Sequence, residues 1–407
     1  MSRSAPVAGP GIVRVRFPCF DGYRALAALG VLVVHAAFIS GLTLRSDTFG
    51  PFLARLDVGV AVFFLISGFL LYRPFVSARL AGAAHTPLRD YFRARALRIF
   101  PAYWVALTAV VYVFRQQGPR HEINNIGDFV SYYFLLQQYT DAHAFGGIQQ
   151  AWTLCVELAF YVFLPLWAWL MLRLSRRWRG VRVDAVALVL LYCAGLVWRA
   201  SVRSQGWSKM LFWLPAFFDQ FALGMGLAVA SAWAVHTGVV PKAFAFAGRH
   251  PGWCWLVAGL SFWAVSTRLD LPRDFAELSV GQWLGWTVLY GATAFFLLLP
   301  GVFGPQDRGL VRGLLRHRLL VGLGVVSYGL YLWHELWLDK YFAWFDVPFL
   351  DARFLAVLGF AFVMSLASAV GSWFLVERPA LRLKRGGRRP HPSVPAPTAG
   401  EPPTVAA

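Results

Sequence analysis

Ten runs of roughly 20 predominantly apolar residues, broken by short polar segments, recur between residues 20 and 376 of this 407-residue chain. They leave few folds open to it. A helix of that length matches the ~30 Å hydrocarbon core of a bilayer, where every backbone polar group has to be satisfied within the protein. We expect helices at about 22–44, 57–76, 99–115, 152–174, 183–201, 209–235, 251–267, 280–301, 319–338 and 351–376. The chain therefore reads as an all-α, polytopic membrane bundle of about ten spans. With 58% hydrophobic and 14% charged residues, it is more apolar than an ordinary soluble domain.

The net charge of +18 is placed where it orients a membrane protein rather than where it would grip nucleic acid. DFVSYYFLLQQY, residues 128–139, is too short to cross and suits an interfacial or re-entrant piece. With that segment on one side, three basic clusters fall beside the same membrane surface as both termini: Arg79 to Arg98, Arg176 to Arg182, and Arg308 to Arg318. The positive-inside tendency makes that surface cytoplasmic. Residues 1–19 form a basic arm, 20–381 the membrane domain, and 382–407 a basic then Pro- and Ala-rich tail too polar to pack. The first run can serve as an uncleaved signal anchor. Cys19, Cys155, Cys193 and Cys254 have no metal-site spacing and read as small buried residues; no metal is expected.

Ionisable residues inside the spans mark the candidate sites. FDGYRALAALGVLVVHAAF, residues 20–38, carries Arg24 and His35, eleven positions apart. On a helix they lie ~16 Å apart in depth and within ~20° of one face. RARALRIFPAYW, residues 93–104, sets Arg95 and Arg98 three apart, so their forked donors suit phosphate as well as simple anchoring. WTLCVELAFYVFLP, residues 152–165, holds Glu157 with Tyr161 one turn on, a structural carboxyl or an orienter of a base. Ser67 and Gly68 read chiefly as helix packing, and Asp219 as a partner for backbone opened by Pro215. In SYGLYLWHE, Ser327, Tyr331 and His334 form a polar stripe at i, i+4, i+7, either a headgroup belt or a cavity wall. Arginines near the cytoplasmic surface, with His35, Glu157 and His334 from the middle to the outer side, suggest transfer across a membrane. A transporter or flippase lined by the same polar residues is the alternative from another class, and a ligand-binding sensor or scaffold a third.

These motifs, in this order, resemble the membrane-bound acyltransferase 3 family. Arg24 and His35 meet its Arg, ten residues, His pattern; Arg95 and Arg98 with Pro101 and Tyr103 meet its Arg-x-x-Arg element; FFLISGFLL, the Glu157 segment, SYGLYLWHE and the closing ERP are similar to further landmarks. The resemblance implies a bacterial inner-membrane enzyme that moves an acyl group, most often acetyl, from cytoplasmic acyl-coenzyme A to a carbohydrate hydroxyl. Arg24, Arg95 and Arg98 would bind the coenzyme phosphates, and His35 would be catalytic as a general base or through an acyl-imidazole. Glu157 would be the family acid, with Tyr161, Tyr331 and His334 in substrate-binding or structural roles. No appended esterase-like domain is expected, and the resemblance implies a stand-alone form, whose members of this size act on exopolysaccharides, glycolipids and macrolides.

Overall fold

The computed structural model describes residues 15–115, 122–140, 142–177, 181–204, 209–274 and 276–383, and among them no strand occurs. Most of the amino-terminal arm and almost all of the 382–407 tail lie outside the described residues. Twelve helices matter here: α1 (Phe20–Ile39), α2 (Val58–Leu80), α3 (Leu88–Thr108), α4 (Ile126–Tyr133), α5 (Trp152–Arg177), α6 (Arg182–Ser204), α7 (Phe218–Thr237), α8 (Pro251–Thr267), α9 (Val280–Val302), α10 (Arg318–Val325), α11 (Ser327–Phe345) and α12 (Phe354–Ser372). Eight helical segments are long and apolar enough to cross a bilayer, and the α10–α11 pair, bent by 70°, makes a ninth. α8 is the tenth expected run; its 17 residues rise only ~26 Å, short of the ~30 Å core. α4, with eight residues, spans ~12 Å and does not cross.

Several boundaries differ from expectation for local reasons. The first run breaks at Ile39 because Gly41 takes a left-handed φ of 80°, with its α-carbon against the Leu350 backbone. α3 starts eleven residues before its apolar run, since the basic turns from Leu88 are helical too. The 209–235 run opens in two short 3-10 turns and becomes α-helical only at Phe218, past Pro215. Cys193, expected to be buried, is exposed on α6, whereas the other three cysteines are buried.

Charged and polar contacts sort the connections into two ends. At one end Arg79 of α2 binds both oxygens of the buried Asp184 of α6 at 2.6 Å. The same end holds Cys19 against Gln306, Arg93 donating to the Leu383 carbonyl, and Gly324 packed on the backbone of Asp21. Arg312 of the third basic cluster is buried here, donating to the carbonyls of Pro300, Phe303 and Gly248. It clamps loops instead of facing headgroups. At the other end Arg45 reaches the Leu350 carbonyl, Arg273 the Ser46 carbonyl and Asp47, and Lys209 the Thr140 and Ala142 carbonyls. The beginning and end of the described chain thus share one end with the basic clusters.

α2 packs along α7 more extensively than any other helix pair does. Gly68 lies on the backbone at Phe221 and Gly224 on the backbone at Leu65, so the two helices notch into each other. Asp219 was expected to serve the backbone opened by Pro215. Instead Arg199 donates to the Ala216 carbonyl and to Thr287, and pairs with the fully buried Asp219 at 3.6 Å. A leucine at position 224 would force α2 and α7 apart; we expect Gly224→Leu to destabilise the fold by the ~1–3 kcal/mol typical of overpacking, read as a lower thermal unfolding midpoint in detergent.

Candidate active site

α1, α2, α3, α5 and α11 enclose a cavity of about 140 Å³ whose wall includes Arg24, Ser67, Arg95, Arg98, Glu157 and Tyr161. Arg24 and the α3 arginines meet there because the α1 start and α3 share the basic end of the bundle. Arg24 pairs with Asp21 at 3.4 Å, one turn back on α1. The Arg95 guanidinium stands 6.0 Å from the centre of the Tyr161 ring, and its Nε is buried without a partner among the described residues. Arg98 stands 5.8 Å from the Tyr328 ring centre and 3.6 Å from Glu377. Glu377, from the closing ERP segment, is 2% exposed and ends a π-helical turn, Trp373–Glu377. Such turns are frequent at functional sites. Neither of its oxygens accepts a hydrogen bond among the described residues, so Arg98 is its one ionic partner there.

Glu157 belongs to this arginine cavity. One of its oxygens accepts hydrogen bonds from Ser67 and Tyr161, both at 2.8 Å. The carboxylate therefore fastens α2 to α5 and holds Tyr161 beneath Arg95, and it makes no contact with His35 or His334 among the described residues. Ser67, read from sequence mainly as a packing residue, is a donor in this site.

Deeper along the same helices, the cavity wall also includes Phe63, Thr153 and Tyr331. Tyr331 is pinned by Thr153 at 2.9 Å and donates to the Gln150 carbonyl, while its ring meets Phe63 edge-on at 6.1 Å. His35 is not among the lining residues. It lies past Tyr331, whose ring centre is 5.7 Å from that of His334. The expected polar stripe thus divides: Ser327 and Tyr331 face the cavity, and His334 faces His35.

The two histidines and Glu335 form one cluster. His35 Nδ1 is 2.9 Å from His334 Nε2 and 3.0 Å from Glu335 Oε1, and His334 Nε2 is 3.8 Å from the same oxygen. His334 Nδ1 lies 2.7 Å from the Tyr331 carbonyl. A carbonyl only accepts, so that nitrogen carries the proton and, in the neutral ring, Nε2 is bare. The bare nitrogen faces His35 Nδ1, which must then be the donor, and the Glu335 carboxylate oxygen stands 3.0 Å from the same nitrogen. The remaining nitrogen of His35, Nε2, keeps its lone pair. This tautomer follows from the bonding pattern, as it does for the base of a Ser-His-Asp triad. At 33% side-chain exposure His35 is reachable, whereas His334 at 1% is sealed.

Sequence reasoning missed Glu335. It stands i+4 from Tyr331, ~40° away on the helix, so spacing places it at the edge of the 327/331/334 stripe; what the sequence does not show is the contact with α1. His35 stands against both side chains.

An apolar helix bundle holding an oriented imidazole beyond an arginine-lined cavity suits a membrane-embedded group-transfer enzyme. The chain belongs to the acyltransferase 3 family, whose profile, described as an acyltransferase domain, matches residues 17–377. It is similar to nodulation protein 10 of Rhizobium leguminosarum bv. viciae, 26% identical over 401 residues covering 90% of this chain and 93% of that protein. Acyltransferase MdmB of Streptomyces mycarofaciens is 26% identical over 422 residues, 96% of this chain and 98% of the relative. O-acetyltransferase OatA of Staphylococcus aureus is 23% identical over 349 residues, 81% of this chain and 52% of OatA. No solved structure matches. The protein is a multi-pass membrane O-acyltransferase.

The tautomers can be read directly. Nitrogen-15 spectra of histidine-labelled protein in nanodiscs should show both His35 and His334 protonated on Nδ1, and an Nε2-protonated His334 would break the hydrogen-bond assignment.

Proposed function

We propose that the enzyme moves an acyl group, acetyl in the first instance, from acyl-coenzyme A to a hydroxyl of a carbohydrate, glycolipid or macrolide-like acceptor at a bacterial cytoplasmic membrane. The observation that carries this reading is the convergence of three arginines, one with a buried unpartnered Nε, on a cavity that runs to within one ring of the His35 cluster. Guanidinium forks in apolar surroundings suit phosphate oxygens. By the positive-inside tendency, the basic end of the bundle faces the cytoplasm, where the donor is made.

In this reading Arg24, Arg95 and Arg98 hold the coenzyme phosphates, and Glu157 positions Arg95 through Tyr161. The pantetheine arm follows the cavity inward and displaces the Phe63–Tyr331 contact to bring the thioester to His35. Tyr161 and Tyr331 serve the donor path, and His334 serves the base. His35 Nε2 takes the proton of the acceptor hydroxyl as its oxygen attacks the thioester carbonyl. The tetrahedral adduct collapses, the C–S bond breaks, and the departing thiolate takes the proton back from the imidazolium, leaving ester and free coenzyme A. Glu335 and the His334 lone pair, both facing His35 Nδ1–H, stabilise the transient imidazolium.

The test is label transfer. Purified protein given labelled acetyl-coenzyme A and candidate glycans should form a labelled ester, whereas a transporter or a binding protein leaves both substrates unchanged. His35→Ala should lower the rate about 10²- to 10⁴-fold, the usual worth of a general base, with the protein still inserted. Arg95→Ala combined with Arg98→Ala should raise KM for the donor about tenfold or more, because each charge-assisted hydrogen bond is worth ~1.5–3 kcal/mol. An unchanged KM removes the phosphate site from the mechanism.

A further inference from the structure

The three atoms that surround the His35 Nδ1 proton are also the donor set of a metal site. His35 Nδ1, His334 Nε2 and a Glu335 carboxylate oxygen all lie within 4.8 Å of one another. Their separations are 2.9, 3.0 and 3.8 Å. Ligands of tetrahedral zinc, with Zn–N near 2.0–2.1 Å and Zn–O near 2.0–2.2 Å, stand about 3.3–3.5 Å apart, so the observed triangle brackets one face of that tetrahedron. Two imidazoles and one carboxylate are a composition zinc accepts with its fourth position open.

A second observation, independent of the spacing, points the same way. A metal-binding histidine characteristically donates its other ring N–H to a carbonyl or carboxylate, which fixes the tautomer and aims the lone pair. His334 is held in that way: Nδ1 donates to the Tyr331 carbonyl at 2.7 Å, and the bare Nε2, in a ring 1% exposed, points into the cluster. Gln150 supports the same turn by donating to the Tyr331 and Leu332 carbonyls, both at 2.9 Å. The ligand is thus oriented whether a proton or a metal ion occupies the space in front of it.

We propose that His35, His334 and Glu335 form a Zn²⁺ site whose occupation switches the enzyme off. The consequence for catalysis comes from one proton. With Nδ1 of His35 bonded to zinc, the ring stays neutral by carrying its proton on Nε2, so the proton has moved from one nitrogen of the ring to the other and none is lost. Nε2 then donates instead of accepting, and the acceptor hydroxyl has no base. Zinc and the Nδ1 proton compete for the same space. Hard ions such as Mg²⁺, which prefer six oxygen ligands, should not occupy it. The inhibition rests on His35 being the base; the binding does not.

The experiment uses full-length protein in nanodiscs, first stripped with a chelator. After incubation with Zn²⁺ and desalting, elemental analysis should find one zinc per chain, and Co²⁺ in its place should give the intense visible absorption of a four-coordinate site. His334→Ala should weaken binding at least about tenfold, since even partners outside the ligand set are worth 10- to 100-fold. Glu335→Gln keeps the shape of the side chain, so it reports even if His334→Ala fails to insert; it should show the same loss. Zinc should suppress ester formation by the wild type, and chelator should restore it. The proposal is overturned if stripped protein retains no zinc, or if both variants bind as tightly as the wild type, which would place the ion elsewhere. Activity lost on stripping and regained with zinc would instead confirm the metal and refute His35 as the free base, so the two readings fail separately.

Discussion

Burying an ionised side chain costs several kcal/mol unless a partner of good geometry is found, and that requirement organises much of this bundle. Asp184 accepts hydrogen bonds from Arg79 at both oxygens and from Tyr72 at one, and so ties the end of α2 to the start of α6. Arg199 joins α6 to the α7 entry through Asp219 and the Ala216 carbonyl. Tyr290 of α9 donates to Asp57 and thereby fixes the start of α2. Each polar pair chooses a neighbour that apolar packing alone would leave open. Arg73 of α2, also buried, finds a neutral partner instead and donates to Ser231 of α7.

The arginine cavity and the His35 cluster are separate. Phe63 and Tyr331 stand between them, and Tyr331 is held by Thr153 and by the Gln150 carbonyl. The same tyrosine offers its own carbonyl to His334 Nδ1. One residue therefore walls the arginine cavity with its side chain and sets the histidine tautomer with its backbone. A rotation of the ring would leave that carbonyl in the helix, so the side chain can move without changing the tautomer it sets.

Much of this was legible in the sequence, because hydrophobic runs report helices directly. All ten expected runs are helical, and the Arg24, Arg95 and Arg98 group meets as the shared basic end requires. What was not legible depended on which helices touch. Glu335 was hidden because only the contact from α1 brings it and His334 to one imidazole. Glu377 lies 279 positions after Arg98, and no local pattern links them. Gly41 and Pro215 carry their breaks openly, yet the strength of the surrounding apolar runs masks them. Arg312 reads as one more headgroup cation until its three carbonyl partners appear.

The 70° bend between α10 and α11 changes where a helix begins. Had residues 318–345 formed one straight rod, its amino end would lie at the bundle surface near Arg318. The break restarts the helix at Ser327, after the eight residues of α10, which is ~12 Å of rise. Ser327 and Tyr328 line the arginine cavity. The aligned peptide dipoles of α11 thus bring a partial positive charge of roughly half a proton to the cavity wall, adding a field from the backbone to that of the three guanidinium groups.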